Sequence, residues 1–183
     1  MKKSTLFISA VILVAASLVG KTCFAKAMDN NFTLAGPGIN ENPVLLADTV
    51  PPADVMEVVT TVVYSLNTFN IDKVADLYTP NAVVADDEPP YSWNGPTAGI
   101  QWVNAVEQIC KDNKLTKLKG TIGTINYYQQ TGDNLYIIVP VTYNGYLPGK
   151  QTIAAKGAFT FVLRMINGKW MIKSQVWMPK KGT

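Results

Sequence analysis

The chain has 183 residues, of which 48% are hydrophobic, with 16 Lys and Arg against 13 Asp and Glu and not one histidine. The missing histidine excludes Ser-His-Asp and Cys-His nucleophilic sites and histidine-ligated metal sites. The formal charge of +3 sits wholly at the N-terminus: loss of residues 1–25 would remove Lys2, Lys3 and Lys21 and no acid, leaving 13 basic and 13 acidic residues. Such a neutral chain gives no electrostatic case for nucleic acid or an anionic membrane as partner.

That N-terminal segment reads as a signal peptide. Met1-Lys2-Lys3-Ser4 leads into an almost uncharged run from Thr5 to Gly20, then Lys21-Thr22-Cys23-Phe24-Ala25. A positive start, an apolar stretch and small residues at a cleavage position predict export, to a periplasm or to the outside. The run is short of the roughly 20 apolar residues that a membrane span needs. Lys21 and Thr22 stand where a lipid-attachment box before Cys23 would need small residues. Residues 26–52 form an extended, Asn-, Gly- and Pro-containing leader, with a glycosylation sequon at Asn31-Phe32-Thr33. With Cys23 removed, Cys110 is the only thiol, so no intramolecular disulfide can form.

A folded domain is expected over residues 53–180, long enough for a sizeable core. Val55, Val58, Val59, Val62, Val63 and Leu66 recur at helical spacing and predict a first helix, held by packing because valine is a poor helix former. Asn70 is a good N-cap for a second helix, whose apolar stripe is Ile71, Val74, Ala75, Leu77 and Tyr78. Pro80 turns the chain. Ala82-Val83-Val84-Ala85 is a short extended run that delivers Asp86, Asp87 and Glu88. After Pro89-Pro90 and Asn94-Gly95-Pro96, a third helix is predicted from about Thr97 to Asn113. Its apolar face is Ile100, Trp102, Val103, Val106, Ile109 and Cys110. From Leu118 the period changes. Leu118–Gln130, Leu135–Tyr143, Gln151–Ile166 and Trp170–Met178 read as strands, with Thr131–Asn134, Asn144-Gly145 and Asn167-Gly168 as hairpin connections.

Helices first and an antiparallel meander after them predict an α+β domain. The order helix, Asn70-Ile71-Asp72-Lys73-Val74-Ala75-Asp76-Leu77-Tyr78, Asn81-Ala82-Val83-Val84-Ala85-Asp86, loop and Gly95-Pro96-Thr97-Ala98-Gly99-Ile100-Gln101-Trp102 resembles the nuclear transport factor 2-like proteins, including ketosteroid isomerases and SnoaL-like cyclases. The resemblance runs from about Asp54 to Pro179. It implies a cone-shaped, curved antiparallel sheet wrapped around three N-terminal helices.

The resemblance also assigns candidate residues. Asp86 falls where ketosteroid isomerases carry an aspartate base. A carboxylate at the mouth of an apolar cone can have a raised pKa and move protons near neutrality. Against this, three adjacent acids are costly to bury together and would otherwise form a solvated turn. Two other parts of isomerase chemistry are absent. The first-helix tyrosine position holds Val62, with Tyr64 on another helix face, and the second oxyanion donor falls on Phe161. Arg164, the only arginine, points outward by strand parity. The match places Gln175 and Trp177 inward on the last strand and Phe159, Phe161 and Leu163 inward on the one before. Tyr64, Tyr91, Trp93 and Trp102 would lie near the open end. Aromatic walls with few polar groups suit a small hydrophobic ligand; the same residues could equally fill a core.

No cofactor or metal is called for: Gly120-Thr121-Ile122-Gly123 lies in a strand pattern rather than a phosphate loop, and Asp86-Asp87-Glu88 lacks EF-hand spacing. The expected outward Trp170, Ile172 and Val176 make an apolar outer sheet face that points to a homodimer. Three roles follow from these features: binding of a small apolar or aromatic ligand, cofactor-independent isomerase, cyclase or dehydratase chemistry with Asp86 as base, or an accessory module that binds a protein through the sheet.

Overall fold

The structure, a computed structural model, describes residues 50–180. The expected signal peptide, nearly all of the leader and the Asn31 sequon lie outside them. Its elements in order are α1 (Ala53–Ser65), a 3-10 turn (Ile71–Lys73), β1 (Tyr78–Ala85), β2 (Ser92–Asn94), α2 (Ala98–Asp112), β3 (Thr116–Ile122), β4 (Tyr127–Thr131), β5 (Asn134–Tyr146), a second 3-10 turn (Pro148–Lys150), β6 (Thr152–Ile166) and β7 (Lys169–Pro179). The strands form one curved, unclosed sheet in the order β2-β1-β7-β6-β5-β3, with β4 also on β5.

The first helix forms as its valines predict: Val55, Val58, Val59, Val62 and Val63 are all buried against the sheet. Polar side chains fix its position. The Trp170 indole donates to Asp54 at 3.0 Å near its start, and the Tyr143 hydroxyl donates to the Val63 carbonyl at 3.1 Å near its end. Just beyond, the Asn67 side chain accepts from the Gly120 N–H at 2.8 Å.

The second helix is corrected to a single 3-10 turn. Asn70 does cap it, its side chain accepting from the Asp72 and Lys73 N–H groups. The chain then closes two i→i+3 turns, Val74 to Ile71 and Leu77 to Val74, instead of an α-helical ladder. Tyr78 already belongs to β1, opposite Ile172 of β7, and Ile172 donates to the Leu77 carbonyl at 2.7 Å. Pairing with the sheet thus takes the residues that the helical stripe needed, and two α-helices remain among the described residues.

That pairing is parallel, so the sheet is mixed and not wholly antiparallel. Its register shifts between Tyr78 and Val83, around Pro80, which has no N–H to give the ladder. Two further sequence assignments change. The run from Leu118 breaks into β3 and β4, both along one side of β5. Asn144-Gly145 is not a turn: both residues lie inside β5, and the reversal comes at Leu147–Gln151. Pairing on both sides holds them there, Asn144 opposite Lys119 and Ala154 and Gly145 opposite Ile153, and Leu115 packs so close that a Cβ on Gly145 would lie 2.8 Å from its side chain. The expected turns at Thr131–Asn134 and Asn167-Gly168 do form, the latter with φ of 51° and 77°.

The outer face also differs from the parity expectation. A bulge at Lys173 offsets β7 against β6, since Val162 pairs with Ser174 but Leu163 with Ile172. Trp170 and Ile172 therefore face the core together with Gln175, and only Val176 of the three stays outside.

The first turn of α2 presses on Tyr78 so closely that a Cβ on Gly99 would fall inside the phenol ring. Gly99→Ala should therefore cost about 1–3 kcal/mol, the usual range for overpacking a core. Urea unfolding checks this; a change below about 0.5 kcal/mol, the ordinary scatter of innocuous substitutions, would refute the contact.

Candidate active site

Strand alternation builds the site. On β1, Val84 is fully buried opposite Gln175 of β7, so Asp86, two residues on, turns to the same inner face beside Trp177. Phe161 and Phe159 flank Gln175 and Trp177 on β6. Trp102 comes from the buried face of α2.

Asp86 is half-buried at the rim. Its Oδ2 accepts from the Trp102 indole N–H at 2.6 Å and its Oδ1 from the Asp87 backbone N–H at 2.8 Å. Burial dominates its titration and raises the carboxyl to about 6; the Trp102 hydrogen bond works against that rise, and neighbouring Asp87 adds to it. Asp87 and Glu88 remain exposed in the turn, which closes through Asp86 N–H to Tyr91 O at 3.0 Å. The three acids therefore separate: one turns inward and two stay in water, which avoids burying three charges.

The rings meet around Phe159. It lies 5.6 Å from Trp102 edge-on, 5.6 Å from Phe161, 4.8 Å from Trp177 and 6.5 Å from Tyr143. These rings pack the interior of the cone. Two shallow depressions of about 400 and 410 Å³ lie elsewhere, one lined by Thr116, Lys117, Tyr146, Leu147 and Lys150, the other by Pro80, Asn81, Ala82, Asn94 and Gly95. Of the rings in the cluster Trp177 alone is only partly buried, which sets it at the rim.

Of the residues singled out in the sequence, Asp86, Trp102, Phe161, Gln175 and Trp177 share this inner face. Trp93 is buried on β2 opposite Val84. Tyr64 and Tyr91 remain 45% and 59% exposed and make no ring contact with the cluster. Arg164 is exposed, as parity required. Cys110 is buried, and desolvation, then repulsion from Glu107, raises its thiol pKa; it is an inert core thiol. Among the described residues no cluster of three or more Cys, Asp or Glu side chains is placed to hold a metal ion.

Two polar groups escaped the sequence analysis. The Tyr78 hydroxyl donates to Gln175 Oε1 at 2.6 Å, fully inside the core. Burial pushes both Tyr78 and Tyr143 far above the ordinary phenol range, with Asp86 and Tyr78 adding to the rise at Tyr143. Both tyrosines therefore act as hydrogen-bond donors and not as bases. Tyr78 was hidden because the helical stripe accounted for it as an apolar residue.

No family model matches the chain, and no curated protein sequence matches it. Solved structures do. The chain superposes on LinA with a TM-score of 0.61 at 15% identity, over 70% of this chain and 84% of that one. Hexachlorocyclohexane dehydrochlorinase LinA-type3 from Novosphingobium barchaimii LL02 gives 0.58 at 15% identity, over 72% and 90%. A nuclear transport factor 2-like superfamily protein from Salmonella enterica gives 0.57 at 14% identity, over 71% and 92%. The fold is therefore the nuclear transport factor 2-like cone that the sequence resembles.

The raised carboxyl fixes a sign for stability. Because folded Asp86 holds its proton to higher pH than an unfolded aspartate, its contribution is greatest below the ordinary aspartate value and is lost as pH rises through about 6. Thermal unfolding from pH 4 to pH 8 should show this loss in the wild type and not in Asp86→Asn, so the variant's stability relative to wild type rises with pH. A constant difference between the two would refute the buried carboxyl.

Proposed function

We propose that the protein is an exported cone-fold protein that takes a small apolar or aromatic ligand at the rim of the cone, with Asp86 as its polar contact. The observation that carries this is the single carboxylate turned inward beside Trp177, half-desolvated and held by the Trp102 indole. An apolar wall with one placed polar group fits a small, largely hydrophobic molecule with one hydrogen-bond donor. The N-terminal pattern supports export; N-terminal sequencing of the native protein should begin near Lys26, and an intact Met1 would count against it.

The test is a melting-temperature screen of small aromatic alcohols and ketones, beside native mass spectrometry of the protein as purified. A responder should bind Asp86→Asn about tenfold or more weakly if its hydroxyl donates to the carboxylate, since hydrogen bonds to charged groups are worth about 1.5–3 kcal/mol. No responder and no retained ligand would overturn the reading.

A second reading rests on the value near 6: a carboxylate poised there is suited to remove a proton from carbon, as in isomerase, cyclase or dehydratase chemistry. A hexachlorocyclohexane dehydrochlorinase shares the fold. Proton transfer can be followed without the natural substrate. In D2O the wild type should speed deuterium entry into the methyl group of acetophenone, read by proton NMR, and Asp86→Asn should not. Equal rates for the two proteins would remove this reading and leave simple binding.

The outer sheet face is proposed to pair with a second copy. Tyr136, Val162, Ser174 and Val83 form one row, and Ile138, Thr160, Val176 and Ala85 the next, with no charge among them. Sedimentation velocity should give a dimer that Val176→Glu splits into monomers; a wild-type monomer at high micromolar concentration would contradict it.

A further inference from the structure

The balance of 13 acidic and 13 basic residues beyond residue 25 conceals a division within the domain. Residues 53–112, which form the helices, β1 and β2, carry nine acidic side chains and two lysines. Residues 113–180, which form β3 to β7, carry nine basic side chains and Asp133 as the single acid. All nine basic side chains are exposed. Among the described residues the only ion pair joins Glu107 to Lys111 inside α2, so no basic group of the sheet has an acidic partner there. Charge segregated in this way marks a surface that meets a partner of opposite sign.

Five of these lysines gather at one end of the outer face, the side of the sheet away from Asp86. Lys119 stands on β3, two residues before Thr121, whose row runs through Thr142 to Lys156. Lys180 follows β7, and its N–H donates to the Lys156 carbonyl at 2.8 Å. Lys117 and Lys150 border the depression of about 400 Å³ that Thr116, Tyr146 and Leu147 complete. Both have left-handed backbone, with φ of 54° and 64°, a conformation that glycine takes freely and lysine does not. Lys117 lies in a bulge between Thr116 and Lys119, and its ammonium stands over the Tyr146 ring, 6.0 Å from the centroid. Backbone strain of this kind concentrates at binding sites. Lysines on an edge strand also deter edge-to-edge aggregation, which would account for Lys117 and Lys119. It does not account for Lys156 on the interior strand β6, nor for Lys150 and Lys180.

We propose that this end of the outer face is a docking surface for an acidic polysaccharide, whose carboxylates meet the five lysines and whose sugar rings rest against Tyr146. Lys119 and Lys156 are about 12 Å apart at Cα, two strand spacings across and two residues along, so a chain with repeated charge engages both where one small anion does not. Between the ammoniums stand Thr121, Thr142, Asn144 and Thr152, uncharged hydrogen-bonding groups suited to sugar hydroxyls. Single-stranded nucleic acid needs rings in succession on which its bases stack. Here Tyr146 stands alone, and Tyr127 and Tyr136, farther along the face, meet edge-on at 75°. A bilayer needs Trp, Phe or Leu side chains standing out beside the lysines. The exposed large apolar side chains at this end are Tyr146 and Met178. Acidic polysaccharides lie outside cells, in keeping with the export proposed above, and the surface is independent of any ligand at the rim.

Calorimetry of the purified protein with polygalacturonate, and with dextran as a neutral polysaccharide, tests the proposal. Polygalacturonate should bind and dextran should not, and the affinity should fall as salt rises from about 50 to about 200 mM, because counterion release drives such binding. Lys119→Gln with Lys156→Gln should weaken binding about tenfold or more, whereas Lys169→Gln with Lys173→Gln, which removes the same charge at the far end of the sheet, should change it less than about twofold. Lys117→Gly should melt no lower than the wild type and still bind more weakly, which a lysine kept for folding would not do. Absence of polygalacturonate binding at low salt, or equal losses in the two double variants, would overturn the surface. Tighter binding of oligothymidylate, or of phosphatidylglycerol vesicles, than of polygalacturonate would overturn the polysaccharide assignment in favour of nucleic acid or lipid.

Discussion

The parallel pairing of β1 with β7 is the constraint on which the rest depends. It puts Val84 beside Gln175 and carries Asp86 to Trp177, so that two strands remote in sequence contribute adjacent inward side chains. The same pairing ends the short 3-10 segment at Leu77 and brings Tyr78 under α2, where its hydroxyl reaches Gln175. Shifting β1 by one residue would turn Val84 and Asp86 out and Val83 and Ala85 in, leaving an apolar wall without its carboxylate.

Packing and polarity then divide the inner face. Below the rim the rings of Trp102, Phe159 and Phe161 exclude water, and the Tyr78 hydroxyl is held there by donating to Gln175 Oε1. At the rim Asp86 is solvated enough to ionise but buried enough to resist it, with the Trp102 indole as its compensation. This is why one aspartate of three adjacent acids acquires a distinct chemistry. Asp87 and Glu88 lie one and two residues farther along the same turn and remain in water.

Much of this was legible in the sequence. The valine spacing gave α1, the stripe through Trp102 gave α2, and the strand pattern gave β6 and β7. The fold resemblance, which the structure bears out, placed Gln175 and Trp177 inward and Asp86 at the isomerase base position, but left open whether that carboxylate turned in or stayed in a solvated turn. What was not legible had local causes. Ile71 to Tyr78 has a helical period, but pairing with a strand about 95 residues later in the chain outweighs it. Asn144-Gly145 has the chemistry of a tight turn, yet the glycine is there to admit Leu115. Parity along β7 failed at Lys173, because a bulge leaves no mark in a strand of alternating residues. Tyr78 and the Gln175 amide that it meets are tertiary facts: nothing within a few residues of either reports the other.

The carboxyl of Asp86 is the most direct point of contact with experiment. Its titration can be followed by carbon-13 NMR together with the Trp102 indole N–H resonance, with Asp86→Asn used for assignment. The account predicts a midpoint near 6 and an indole signal that moves with the same midpoint, since the two groups share one hydrogen bond. A midpoint near the ordinary aspartate value of about 3.9, with an indole signal indifferent to pH, would contradict it and return Asp86 to the solvated turn with its neighbours.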